Sequence, residues 1–176
     1  TSAGLSAIHD GATRETTDPV VAGELAISTF NFENLAAGQT DKLAALASLI
    51  VNNLRSPDVI AGEEVQDNNG ETNNGNVDAS QTLTQLVAAI QAAGGPTYEW
   101  RQIDPVNGQD GGAPGGNIRQ VFLFRTDRGL SFVDRPGGDS ATPNAVVGSG
   151  ATTHLQYRPG RIDPASSAWA ASRTSR

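Results

Sequence analysis

Cysteine is absent from the 176 residues, which excludes a disulfide framework, a thiol nucleophile and a thiolate metal site. The compartment stays open, because a secreted chain of this size can fold without disulfides. Lysine is nearly absent: Lys42 is the only one, and the other basic residues are arginines. Twelve Lys and Arg stand against nineteen Asp and Glu, a net charge of −7. The chain therefore lacks the basic surface of a general nucleic-acid coat. It still allows an enzyme that meets nucleic acid through a metal-loaded cleft, since a bound cation is often the largest local charge. No apolar run approaches the roughly 20 residues of a membrane-spanning helix. The two histidines, His9 and His154, fall in segments that read as irregular, so a serine triad or a two-histidine zinc site has little support.

What remains is the length of one domain with a sizeable core. Residues 1–23 are small and polar, with neither the basic flank nor the apolar stretch of a signal peptide, and read as a lead or linker. From 24 onward the pattern is that of an α/β (α+β) domain. A strand is predicted over 25–32, with Leu25, Ile27, Thr29 and Asn31 on one face and Phe30 and Phe32 on the other. Apolar residues on both faces predict a strand covered on both sides. A helix follows, with Thr40 as cap, Leu43, Leu46, Ala47, Ile50 and Leu54 at helical spacing, and Pro57 as stop. The apolar run 58–65 ends on two carboxylates. Strand, helix and strand of these lengths resemble a crossover unit.

A Gly/Asn-rich loop spans 68–78. Ser80 then caps a second helix that turns Leu83, Leu86, Val87 and Ile90 inward and ends at Gly94 and Gly95. Strands are predicted over 98–103 and 119–125, separated by a Gly- and Pro-rich loop, with 130–134 pairing against the latter. The stretch 135–164 has almost no apolar periodicity and reads as a functional loop or a partly disordered one.

Three polar residues sit where strands run out. Asn31 ends a run that should be buried, so it is hydrogen-bonded or serves a site. Glu63 and Glu64 close a strand, and alternation lets only one of them face a given cleft. A carboxylate there is a natural ligand for a hard cation such as Mg2+. Arg119 opens a strand after a glycine-rich loop, where a guanidinium can grip phosphate in bidentate fashion. Each alone has a plain alternative: a capped strand end, a solvated strand end and a surface charge. The stretch from Asp67 to Glu71 lacks the glycine placement of an EF-hand, and 111–119 lacks the Lys and Ser/Thr of a P-loop.

Two segments carry a resemblance: Phe30-Asn-Phe-Glu-Asn-Leu35, and Pro57-Asp-Val-Ile-Ala-Gly-Glu-Glu-Val-Gln-Asp67. They resemble the opening of the endonuclease/exonuclease/phosphatase superfamily, the DNase I-like fold. The segments Gly115-Gly-Asn-Ile-Arg-Gln-Val-Phe-Leu-Phe-Arg125 and Pro159-Gly-Arg-Ile-Asp-Pro164 look more narrowly like its bacterial extracellular nucleases. The resemblance implies a four-layer αββα sandwich, of which 24–176 is the N-terminal portion, with an apolar sheet face left bare. It implies a secreted, monomeric phosphodiesterase that uses Mg2+ or Mn2+, with Ca2+ as a further option, and acts on DNA or RNA away from membranes. By position, Asn31 matches the family's phosphate-orienting Asn and Glu64 its metal ligand, both catalytic. Arg119 matches a phosphate-binding Arg, and Glu63 stands where Gln is usual. The family's later His, Asp-x-Asn and Asp-His motifs do not occur here, and Ala171-Ser-Arg-Thr-Ser-Arg176 resembles the approach to that His. The 176 residues alone are therefore expected to be inactive. The alternatives are a phosphatase or lipid phosphodiesterase of the same fold, or a non-catalytic binding module.

Overall fold

The computed structural model describes residues 13–166. His9, the rest of 1–12 and the stretch from 167 to 176 lie outside the described residues. Two runs of alternating apolar residues form a parallel pair, β1 (Ile27–Leu35) and β2 (Val59–Val65). Between them run α1 (Thr40–Ser48) and a wider π-turn, Leu49–Asn53. After α2 (Ser80–Ala92) come β3 (Tyr98–Gln102) and β4 (Arg119–Arg125). Both pair antiparallel, giving a mixed sheet in the order β1-β2-β4-β3. The chain is thus α+β, and the predicted crossover joins adjacent strands.

Both helices lie on one face of the sheet. Phe32, Ile60, Val121 and Leu123 from the strands meet Leu43, Ile50, Leu83 and Ile90 from the helices in one buried cluster. Gly62 makes this contact close: a Cβ there would lie 2.3 Å from the Phe32 ring. Tyr98 is buried, and its hydroxyl donates to the Pro57 carbonyl at 2.5 Å. Desolvation pushes this phenol well above its ordinary pKa, so it remains a donor.

The other face corrects the expectation that β1 is covered on both sides. Register aligns Ile27 with Val59 and Phe124, and Thr29 with Ala61 and Phe122. On this helix-free side Ile27 is 65 % and Phe122 48 % exposed. Residues 130–134 do not pair with β4 as predicted. Their anchors are side chains: Phe132 packs on Phe124 at 6.2 Å, and Asp134 accepts two hydrogen bonds from Arg101. The Arg101 guanidinium lies against both rings, which fixes the segment without a ladder.

The expected helix caps are also corrected. Thr40 and Ser80 are the first helical residues, and neither caps by its side chain. For α2 the oxygens come from the preceding loop. Asp78 Oδ1 accepts from Ser80 N at 2.9 Å, and Asn68 Oδ1 accepts from the amides of Gln81 and Thr82. The Ser80 amide, and its hydroxyl donating to Asp78 Oδ2, hold the Asp78 carboxyl below the usual carboxylate range. A carboxylate lowered on folding stabilises the fold above its unfolded pKa, and that contribution is lost as pH falls through the folded value. Below about pH 4 the melting temperature is expected to fall less steeply in Asp78→Asn than in the unsubstituted chain, as pH-dependent thermal melts would read.

Residues 135–164 form an irregular segment with two short strands, β5 (Val146–Val147) and β6 (His154–Leu155). Arg135 and Arg158 exchange backbone hydrogen bonds, and Asn144 ties the segment to the backbone of Tyr157. Arg161 pairs with Asp110, joining the segment to the 104–116 loop. Within the lead, Thr17 N donates to the Asn53 carbonyl and Asn53 Nδ2 to the Glu15 carbonyl.

Candidate functional site

The β1 and β2 ladders break at the same level. Asn31 pairs with Glu63, and the next pair is Leu35 with Val65. Between these pairs β1 carries three residues and β2 only Glu64. The mismatch is absorbed by left-handed backbone at Glu33 (φ 53°), Asn34 (φ 59°) and Glu64 (φ 57°). Such a conformation costs an L-residue about 1–2 kcal/mol, and strain of this kind gathers at functional sites. Three of the five described non-glycine residues with positive φ meet here.

The kink is held from both sides. Asn31 Oδ1 accepts the Glu33 amide at 2.7 Å, and Lys42, reaching from α1, donates to the Glu33 carbonyl. Register puts Asn31 and Glu63 on the helix-free face, both exposed. Glu64 is half-buried, and its Oε2 faces Asn34 Nδ2 at 3.4 Å. The predicted pair, Asn31 and Glu64, thus lies on adjacent strands within one residue of register. Glu64 has no ion-pair partner among the described residues.

Behind Glu64 stands a network of side-chain amides. Gln66 Nε2 donates to Asn34 Oδ1 at 3.0 Å, and Asn117 N donates to Gln66 Oε1 at 2.7 Å. The Asn117 side chain reaches Asp67 Oδ2, the Asn76 carbonyl and Asn107 Oδ1, and accepts from Gly108 N. Gln66, Asp67 and Asn117 are all buried. A Cβ at Gly116 would fall 2.4 Å from Gln66 Oε1, so a side chain there would push the Gln66 amide from its place. Sequence reasoning passed over Asn34, Gln66 and Asn117, although all three lie in the motif segments. Their signal was an amide side chain at or next to the end of a strand: Asn34 within the last residues of β1, Gln66 directly after β2 and Asn117 two residues before β4.

Arg119 sits in this framework rather than on a surface. Its side chain is 1 % exposed, and Nη1 lies 2.6 Å from Asp104 Oδ1. Further bonds go to Gln102 Oε1 and the Asn117 carbonyl, while Nε is buried without a partner. Desolvation lowers its pKa, opposed by Asp104, Asp67 and Asp78. In this arrangement Arg119 holds Asn117 and the 104–116 loop, and a phosphate would have to displace Asp104 to reach it.

Among the described residues no three Asp, Glu or His side chains cluster as a ready metal cage. One carboxylate without an ion-pair partner, one register step from Asn31, is instead the sparse donor set that suits Mg2+ or Mn2+, which keep several waters. His154 is remote in role: its Nδ1 meets the Thr152 carbonyl at 2.6 Å. No protein-family model and no curated protein matches this chain.

Proposed function

We propose that the chain belongs to a secreted, Mg2+- or Mn2+-dependent phosphodiesterase that cleaves nucleic acid, built on a DNase I-like four-layer αββα domain. The observation that carries the reading is Glu64, on left-handed backbone and without an ion-pair partner among the described residues, one register step from Asn31. The exposed part of the helix-free face, bearing Ile27 and Phe122, adds support, since such a sandwich covers one sheet with another. Glu64 is the residue that would hold the ion, and Asn31 would orient a phosphate oxygen beside it. When bound, the ion supplies charge stabilisation at the scissile phosphate. No described histidine adjoins Glu64 as a general base, so the 176 residues are expected to bind and not to turn over. Rapid plasmid cleavage abolished by Glu64→Ala would overturn that expectation.

A polyanionic substrate is favoured by the arginines. Five of the nine described arginines have carboxylate partners. Two of the remaining four, Arg135 and Arg158, are directly opposed across an antiparallel bridge. Opposed residues project to one side of a ladder, where like charges repel, and successive phosphates would relieve the repulsion. With a short DNA duplex and Mg2+, Arg135→Ala combined with Arg158→Ala is expected to reduce the slope of log K against log salt by about two. The test of the function is Mg2+-dependent binding of that duplex by fluorescence anisotropy. Equal binding of a phosphomonoester competitor would favour a phosphatase, and metal-independent binding would favour a non-catalytic module.

A further inference from the structure

The amide network behind Glu64 has a fixed direction. A backbone N–H cannot flip, so Asn117 N, donating to Gln66 Oε1, decides which end of the Gln66 amide points away from it. Gln66 must then present Nε2 to Asn34, whose Oδ1 accepts it at 3.0 Å. Asn34 in turn must present Nδ2 to Glu64. One backbone donor, relayed through two side-chain amides, thus ensures that the carboxylate meets an N–H and not a carbonyl oxygen. Gln66 and Asn117 are buried, and the Gln66 amide fills the space that a side chain at Gly116 would take.

We propose that Asn34 and Gln66 are positioning residues for the Glu64 carboxylate, with their polarity set by the backbone of Asn117. The inference rests on reading Glu64 as a divalent-cation ligand. Asn34 holds one carboxylate oxygen and leaves the other free for the ion, as hydrogen-bonded outer groups do for carboxylate ligands generally. Asn117 also grips Asp67, Asn76 and Asn107, so the relay links both polar loops, 67–78 and 104–116, to the orientation of one carboxylate.

The test uses the 176-residue chain, 15N-labelled, with Mn2+ affinity and the Asn34 side-chain amide as separate readouts. Asn34→Gly suits the positive φ and removes the donor. Gln66→Met keeps the volume and releases the Asn34 amide. Each is expected to weaken Mn2+ binding by about 10–100-fold. In the unsubstituted chain the Asn34 amide pair is expected to exchange slowly and to shift on adding Mg2+ and in Glu64→Gln. In Gln66→Met it should lose both the protection and the Mg2+ response. If Gln66→Met fails to fold, Asn34→Gly decides by affinity, and the Glu64→Gln response reports the contact. Affinity within twofold of the unsubstituted chain in folded variants, or an Asn34 amide indifferent to Glu64→Gln, overturns the relay and leaves the metal reading standing. No Mn2+ binding by the unsubstituted chain overturns the metal reading, and the positioning role with it.

Discussion

Glu64→Gln is expected to lower the Mn2+ affinity of the chain by more than about a hundredfold while leaving its fold intact. Loss of an outer hydrogen-bond partner costs 10–100-fold in metal affinity, and loss of the ligand itself should cost more. The backbone adds a control. Glu64 has φ 57°, where a side chain is penalised and glycine is not. Glu64→Gly should therefore be more stable than Glu64→Ala by about 1 kcal/mol, with metal binding lost in both. Thermal melts and Mn2+ titrations of the three variants would check this. Glycine no more stable than alanine would show that the position carries no strain.

Asp58→Ala is expected to produce the largest loss of stability. Asp58 is 1 % exposed, pairs with Arg128 Nε, and accepts the Ala26 amide at 2.9 Å through Oδ2. Arg128 also donates to the carbonyls of Val21 and Glu24. One carboxylate thus anchors the entry to β1 onto the turn after β4. Removing it strands a partly buried guanidinium and a backbone amide. Breaking such a pair costs 3–5 kcal/mol when buried, and Arg128 retains 25 % side-chain exposure, so about 3 kcal/mol is the expected loss. For a chain of this size that lowers the melting temperature by roughly 6–12 °C. A drop under about 2 °C would mean that the pair is screened as at an open surface.

Period-2 and helical spacing made most of the framework legible, because those periods reflect burial on one face. β4 coincides with its predicted range, and the α2 core positions are buried as expected. Less visible was what depends on contacts between distant segments. The 130–134 stretch alternates like a strand, yet Arg101 and Phe124 capture it by side chains. Ser80 has the composition of a cap, but Asn68, twelve residues earlier, supplies the oxygen. Arg119 has the sequence signature of an exposed charge. Its burial follows from Asp104 in a loop without periodicity. At the site, Asn31 and Glu64 stood out as polar residues ending apolar runs. Asn34 lies three residues beyond Asn31, inside the ladder break, and Gln66 two beyond Glu64, just after it, where alternation no longer predicts a direction.

The most direct measurement is the paramagnetic broadening of 15N-resolved signals by substoichiometric Mn2+ in the 176-residue chain. Selective loss of the Asn31 and Asn34 side-chain amides and of the Glu64 backbone signal, reversed by excess Mg2+, is the predicted result. Broadening centred on the 67–78 loop, or spread evenly over exposed carboxylates, would contradict the assignment of Glu64 as the metal ligand.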